Sequence, residues 1–394
     1  MNILTIPYIT GGDSHFIPLF VLHQRYIRKD RKICNFFLIN DKKKLEIGNF
    51  GVKVVNQDYS IELNGNNIIS QEIIKGIVKK EKLAFKEVNP SIIVEDCCFS
   101  SPLIAEKKGI PRISIHRTGF FRSVQNTEKH VNHIHSIEKD QFNNDKSTKL
   151  ISFFSRNKIN DPVDDMDYLK NYLHCKAKII PGIKSIEVLP ADIQDRDSYF
   201  FCGPLTVEDN PSKKMLEDLH VFFETNKGNK VVFITTGLID NTSINEFIDI
   251  LFDKSYAIIS TVDIIVNDNN KYKFLYSRVL PLNYVCSKVD LVIHHCGSGI
   301  YHYPIMNDVA SITIGTRCYD REDVAVRLES LKVSRHVPHK LDNPKYIDVF
   351  KDCLNLFEQK RLCDYSTLKK LKKEIYETML SFDIGEVIKY ALIN

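Results

Sequence analysis

The sequence holds 394 residues, 43% of them hydrophobic and 26% charged, with 54 basic against 50 acidic side chains and a net charge of +4. That length exceeds one compact core and suits two α/β domains of roughly 150 to 200 residues, and the composition excludes a disordered or fibrous chain. So small a net charge excludes nucleic acid or an anionic membrane as a partner held by bulk charge, and the lysine clusters at 42–44 and 369–373 read as solvated helix faces.

Along the chain, Met1 to Ile9 predicts a short buried strand, followed by the turn residues Thr10-Gly11-Gly12-Asp13-Ser14 and a helical pattern from Phe16. No basic leader precedes that apolar run, so no signal peptide is expected. Strands are predicted at Cys34 to Ile39 and Val52 to Val55, then a helix over 69–82, then the strand-like unit from Ser91 to Asp96. A strand from Arg112 to His116 leads into a polar stretch, Arg122 to Thr148, read as a long loop or a mobile helix beside a site. Its His130, His133 and His135 match no standard ligand spacing, so no metal is expected there.

A strand-like run ends around Phe200 to Pro204, and the polar residues from Val207 to Lys214 read as the linker between domains. A second series of strands is predicted at Lys230 to Thr235, Tyr256 to Thr261, Tyr272 to Tyr276, Leu291 to His294 and Ala310 to Ile314, with a helical pattern over 369–392. The expected division is 1–206, 207–375 and a C-terminal helix, 376–394, packing back towards the first domain. The alternation predicts two mostly parallel, doubly wound sheets facing each other, with ligands bound outside the carboxyl ends of the strands. Ten scattered cysteines with no CxxC pair predict reduced thiols in a cytoplasmic protein, and no stretch approaches the roughly 18 apolar residues of a membrane helix.

The strongest local signal runs from Val289 through His294-His295-Cys296-Gly297-Ser298-Gly299 to Pro304. A buried strand passes through small residues into a helix start whose first turn tolerates proline. Exposed amides at such a turn attract phosphate, glycine lets oxygens approach the backbone, and a histidine can add a further bond. A plain strand-to-helix turn is the alternative. A dinucleotide fingerprint is another, because Gly297-Ser298-Gly299 is followed by Asp320, but His302 occupies the place of the third glycine.

The segment from Asp290 to Val333 resembles the donor-binding region of the UDP-glycosyltransferase superfamily, especially bacterial members acting on natural products. VDLVIHHCGSGIYHYPI, ASITI and CYDREDVAVRL stand where that family has VDLVVHHGGAGTTHEAL, a strand, and FADQ leading into a helix ending ERL. The resemblance implies a GT-B fold and an inverting, metal-independent transfer needing no cofactor, from a nucleotide diphosphate sugar to a small-molecule acceptor, the donor being a UDP-sugar or else a dTDP-sugar. It implies that His295 contacts the diphosphate, that Gly297, Ser298 and Gly299 supply a backbone cradle, and that Asp320 holds sugar hydroxyls. Arg321 replaces the family's glutamine and is a candidate for charge-assisted bonds, while Ile300 and Tyr303 replace its phosphate-binding hydroxyl and ribose-binding glutamate. Asp320 also reads as the N-cap of a helix from Arg321 to Leu331.

In the first half, Gly12-Asp13-Ser14-His15-Phe16-Ile17-Pro18 resembles the family's G-x-G-H-x-x-P entry, which puts His15 at its catalytic base and Asp96 at the base's supporting carboxylate. Such a histidine can take the proton of an acceptor hydroxyl near neutral pH, and Asp13 is the reserve base. Thr236 and Gly237 match the turn that closes on the diphosphate from the opposite side. Val279 and Leu280 fall where relatives set a tryptophan and its neighbour against the base. A nucleotide-sugar epimerase on the same fold and a non-catalytic nucleotide-binding scaffold are the alternative functions.

Overall fold

The computed structural model describes residues 1–7, 13–60, 71–96, 98, 100–117, 175–189, 195–235, 244–316 and 319–393. The first sheet is built from β1 (Asn2–Ile6), β2 (Cys34–Phe37), β3 (Lys53–Val54), β4 (Ile92–Glu95), β5 (Arg112–Ile115), β6 (Ala177–Ile180) and β7 (Tyr199–Phe201). The second is built from β8 (Val231–Thr235), β9 (Ala257–Ser260), β10 (Phe274–Tyr276), β11 (Leu291–His294), β12 (Ala310–Ile314) and β13 (Ser334–Val337). Every recorded pairing is parallel, in the orders β3-β2-β1-β4-β5-β6-β7 and β10-β9-β8-β11-β12-β13. Strands such as β4, β8 and β12 are buried along their whole length, because helices cover both faces of a parallel sheet, and they read as mostly apolar runs broken only by residues such as Glu95, Thr235, Ser311 and Thr313.

The strand order reverses between β1 and β4 in one sheet and between β8 and β11 in the other. Loops leaving neighbouring strands diverge at such a point, and the carboxyl ends there form a crevice. His15 and Asp96 follow β1 and β4, and Thr235 and His295 stand at the ends of β8 and β11.

Two strands escape the sequence reading, β6 and β13. β6 carries Lys178, which is buried because its ammonium donates to Asp195 Oδ2 at 2.5 Å and Ser198 Oγ at 2.9 Å. β13 reads as polar because His336 lies between Glu322 and Thr313. The pattern over 369–392 is two helices, Tyr365–Ser381 and Ile384–Ile393, not one. They are separated at Phe382-Asp383, where the Asp383 carboxylate accepts the Gly385 amide at 2.7 Å.

The connections bind the two halves. Residues 202–212 run without helix or strand, and Arg25 holds them by donating to the Pro204 and Thr206 carbonyls at 2.8 and 3.1 Å. Ile183 and Ile186, between β6 and β7, pack into the core of the second sheet. In return Ile384, Val387, Ile388 and Ala391 of the last helix are buried in the core of the first.

Candidate functional site

His15 lies in the first turn of the helix Asp13–Arg25, and its Nδ1 stands 3.0 Å from Oδ1 of the fully buried Asp96. The approach is short but off the line of the N–H, as is common before a substrate tightens such a pair. The Asp96 backbone is pinned by its amide bond to the Ile6 carbonyl at 3.2 Å. Burial pushes the Asp96 carboxyl up, but the Arg117 guanidinium and then His15 outweigh it and hold its pKa at about 2. Of Asp13 the structure gives the helical position alone, and His130, His133 and His135 lie outside the described residues.

Across the cleft, His294 ends β11 fully buried, and its Nδ1 accepts the Cys296 amide at 3.1 Å. That bond holds Cys296 in a left-handed conformation, φ +56°, which turns the chain away from the sheet. His295 Nδ1 meets the Thr235 carbonyl at 3.2 Å and must donate to it, because a carbonyl only accepts. Its Nε2 lies against Gly297, where a Cβ would stand 2.7 Å from it, so only glycine leaves the ring this place. Burial first, then the charge of Arg321, pushes the His295 pKa down to about 3, and the ring is neutral with a lone pair on Nε2. The donating role expected of His295 therefore requires that the ring first gain a proton.

Ser298 and Gly299 follow in a tight turn leading to the short helix His302–Met306, and among the described residues no acceptor meets their amides. Arg321 Nη1 is buried and has no hydrogen-bond partner among the described residues, beside His295, so a cationic N–H is held next to the turn. The helix bearing it, Tyr319–Ser330, begins one residue before Asp320. Asp320 therefore sits inside the first turn and is not its N-cap. Thr236 and Gly237 lie outside the described residues.

Ile300 and Tyr303 are buried in an apolar cluster with Val285 and Val292, so these two departures from the family pattern face core. His302 is fully buried and its Nε2 lies 3.1 Å from the Pro181 carbonyl, filling the place that a dinucleotide fingerprint reserves for glycine. Val279 is 77% exposed, with its carbonyl already accepting the Ser277 hydroxyl at 2.8 Å, whereas Leu280 is buried.

The residue that sequence reasoning missed is Arg117. It follows β5, is buried, and lies between the two halves of the site: Nη1 and Nη2 are each 3.4 Å from an Asp96 oxygen, and Nε is 3.4 Å from Ser298 Oγ. The strand-end rule that selects Asp96 would also have selected Arg117, since both leave neighbouring parallel strands.

By sequence, no family model and no curated protein matches the chain. Solved structures do match it in fold over its whole length. The glycosyltransferase of kitacinnamycin aligns with a TM-score of 0.68 at 15% identity, covering 99% of both chains. A UDP-glucosyltransferase from Polygonum tinctorium that glucosylates indoxyl aligns at 0.72 and 14%, covering 100% of this chain and 99% of its own. The spinosyn forosaminyltransferase SpnP aligns at 0.65 and 15%, covering 100% of each. The fold is GT-B. In this GT-B chain no helix among the described residues is long and apolar enough to cross a membrane.

Proposed function

We propose that this chain is an inverting, metal-independent glycosyltransferase that moves a sugar from a nucleotide diphosphate donor, a UDP-sugar or a dTDP-sugar, to a hydroxyl of a small-molecule acceptor. The observation that carries the reading is that one guanidinium spans Asp96 and Ser298. A base pair for the acceptor and a diphosphate turn for the donor thus face each other across the width of a single side chain, as a direct displacement demands.

In this mechanism His15 Nε2 takes the acceptor's proton while Asp96 orients the ring and supports the imidazolium. The acceptor oxygen attacks the anomeric carbon from the face opposite the diphosphate, and the bond from that carbon to the diphosphate oxygen breaks, inverting the centre. The departing charge is met by the Ser298 and Gly299 amides and by Arg321, whose buried Nη1 has no partner among the described residues. Asp320 is assigned to the sugar hydroxyls, Thr236 and Gly237 to the far side of the diphosphate, and Val279 with Leu280 to the edge of the base. Val279 offers an apolar edge in place of a stacking ring.

The test is thermal unfolding with UDP, dTDP, GDP and NAD, repeated on His295→Ala. A nucleoside diphosphate at a hundredfold excess over its Kd stabilises the protein by about 2.7 kcal/mol, and the substitution is expected to weaken that response. Stabilisation by NAD alone, or by none of the four, overturns the reading.

A further inference from the structure

Glu322 follows Arg321 in the helix Tyr319–Ser330, yet it is 2% exposed, and its carboxylate joins three elements. Oε1 accepts the Thr316 amide, just past β12, at 2.6 Å, and Oε2 meets Nε2 of His336, on β13, at 3.0 Å. The other nitrogen of that ring, Nδ1, lies 3.0 Å from Oγ1 of Thr313, on β12. The Thr313 hydroxyl donates to the Arg335 carbonyl at 3.3 Å, so towards the ring it offers a lone pair. Both ring nitrogens therefore face acceptors and both carry protons. His336 is an imidazolium paired with a buried carboxylate.

The surrounding charges agree with that state. Burial pushes the His336 pKa down, but the hydrogen bond and charge of Glu322, then Glu329 on the same helix and Asp342 beyond β13, outweigh it and raise the pKa above 6.5. Glu329 also accepts the His336 amide at 3.2 Å, and Arg335, on the same strand as His336, lies 3.8 Å from Glu329. An ion pair sealed in protein adds little to stability beyond what apolar side chains of the same volume would give, so its role lies in what it fixes. Here it fixes the first turn of the helix against the end of β12. Register places the pair beside the candidate site: His294, Thr313 and His336 are Cα partners across β11, β12 and β13, and His295 follows His294 at once.

We propose that His336 and Glu322 are positioning residues that hold Arg321 at the diphosphate turn. The inference rests on the transferase reading, because the anion that Arg321 would meet is the donor's diphosphate. A carboxylate bonded at both oxygens gives the start of the helix one place against β12, and the guanidinium one residue before it is set in advance for phosphate oxygens. When the ring loses its Nε2 proton, a lone pair faces the carboxylate. The hold is therefore present below the His336 midpoint and lost as pH rises through it.

The test has a part without ligand and a part with one. The His336 ring, followed by NMR and assigned by its loss in H336F, is expected to carry protons on both nitrogens at pH 6, with a midpoint above that of a free histidine that falls by about one pH unit or more in E322Q. Protection of the Thr316 amide from exchange is expected to drop roughly tenfold in H336F, and in the wild type above the His336 midpoint. E322Q is expected to keep that protection at high pH, because its amide donates to the neutral ring while its oxygen still accepts Thr316. UDP or dTDP is expected to bind roughly tenfold more weakly to H336F and to R321M, and no more weakly to the double variant than to R321M, since both act through one contact. A ring midpoint at or below a free histidine's overturns the pair, and wild-type protection of Thr316 in H336F overturns the hold. Losses that multiply to roughly a hundredfold in the double variant overturn the link to Arg321. Should H336F fail to fold, E322A, which removes the shared acceptor, replaces it in the exchange and binding comparisons. If neither nucleotide binds the wild type, the transferase reading loses its support, and the ring midpoint with Thr316 exchange still decides for or against the hold.

Discussion

His295 commits Nδ1 to the Thr235 carbonyl, so an anion arriving at Nε2 meets a lone pair unless it brings a proton. With the free ring's pKa at about 3, binding a diphosphate there must raise that value and take up a proton. The sign follows: UDP affinity is expected to strengthen as pH falls, by up to tenfold per pH unit between the pKa of the complex and that of the free ring. Calorimetric titrations in buffers of differing ionisation enthalpy measure this uptake, and subtracting the His295→Ala result removes the proton that UDP itself takes. Identical uptake in both proteins would show that His295 stays neutral under the diphosphate. At this scale Asp96 and His295 were legible because each directly follows a strand, and His15 because its G-x-x-H-x-x-P surroundings resemble a family motif at the start of the helix after β1. The tautomer of His295 was not, since it depends on a carbonyl 60 residues away in sequence. Arg117 was not either, because an arginine after a strand looks the same whether it faces solvent or a buried carboxylate.

Among the elements, the apolar runs of β1, β4, β8, β11 and β12 announce themselves, whereas β6 and β13 hide behind Lys178 and His336, whose partners are distant in sequence. The end of β12 carries a constraint of this hidden kind. Gly315 donates to the Val337 carbonyl at 2.8 Å, and a Cβ on it would stand 2.3 Å from the His339 nitrogen and 2.9 Å from the Pro338 carbonyl carbon. Those are backbone atoms and cannot rotate aside. Gly315→Ala is therefore expected to push β12 and β13 apart at their carboxyl ends, where Glu322 of the helix Tyr319–Ser330 accepts the Thr316 amide at 2.6 Å. The expected cost is about 2 kcal/mol or more, read as a lower denaturant midpoint with an unchanged slope. A stability equal to wild type would mean that the 338–339 loop moves freely.

The whole molecule carries a set of neutral buried histidines: burial, aided at His23 by Arg28 and at His295 by Arg321, pushes His23 down to about 4 and His294, His295 and His302 down to about 3. Such groups bind protons in the unfolded chain before they do in the native one, so stability is lost as pH falls through 6.5. Each of these rings near 3 costs on the order of 2 kcal/mol by pH 5, and Glu81, raised to about 7 by burial, offsets roughly one of them. Chemical denaturation at pH 7 and pH 5 is expected to show a net loss of several kcal/mol, and equal stability at both would refute the neutral-histidine account. The two-sheet architecture was legible because alternating strand and helix patterns admit few topologies, and the sequence reading has a C-terminal helix packing back towards the first domain, but the seating of Ile183 and Ile186 in the second core was not legible, since no local pattern says which core such residues join. The returning helix has a consequence for synthesis. The helix Ile384–Ile393 fills an apolar face of the first sheet, yet a ribosome delivers it only after the entire second sheet has emerged. The domain translated first must wait with part of its core open, so a nascent chain here is exposed longest at its amino-terminal half.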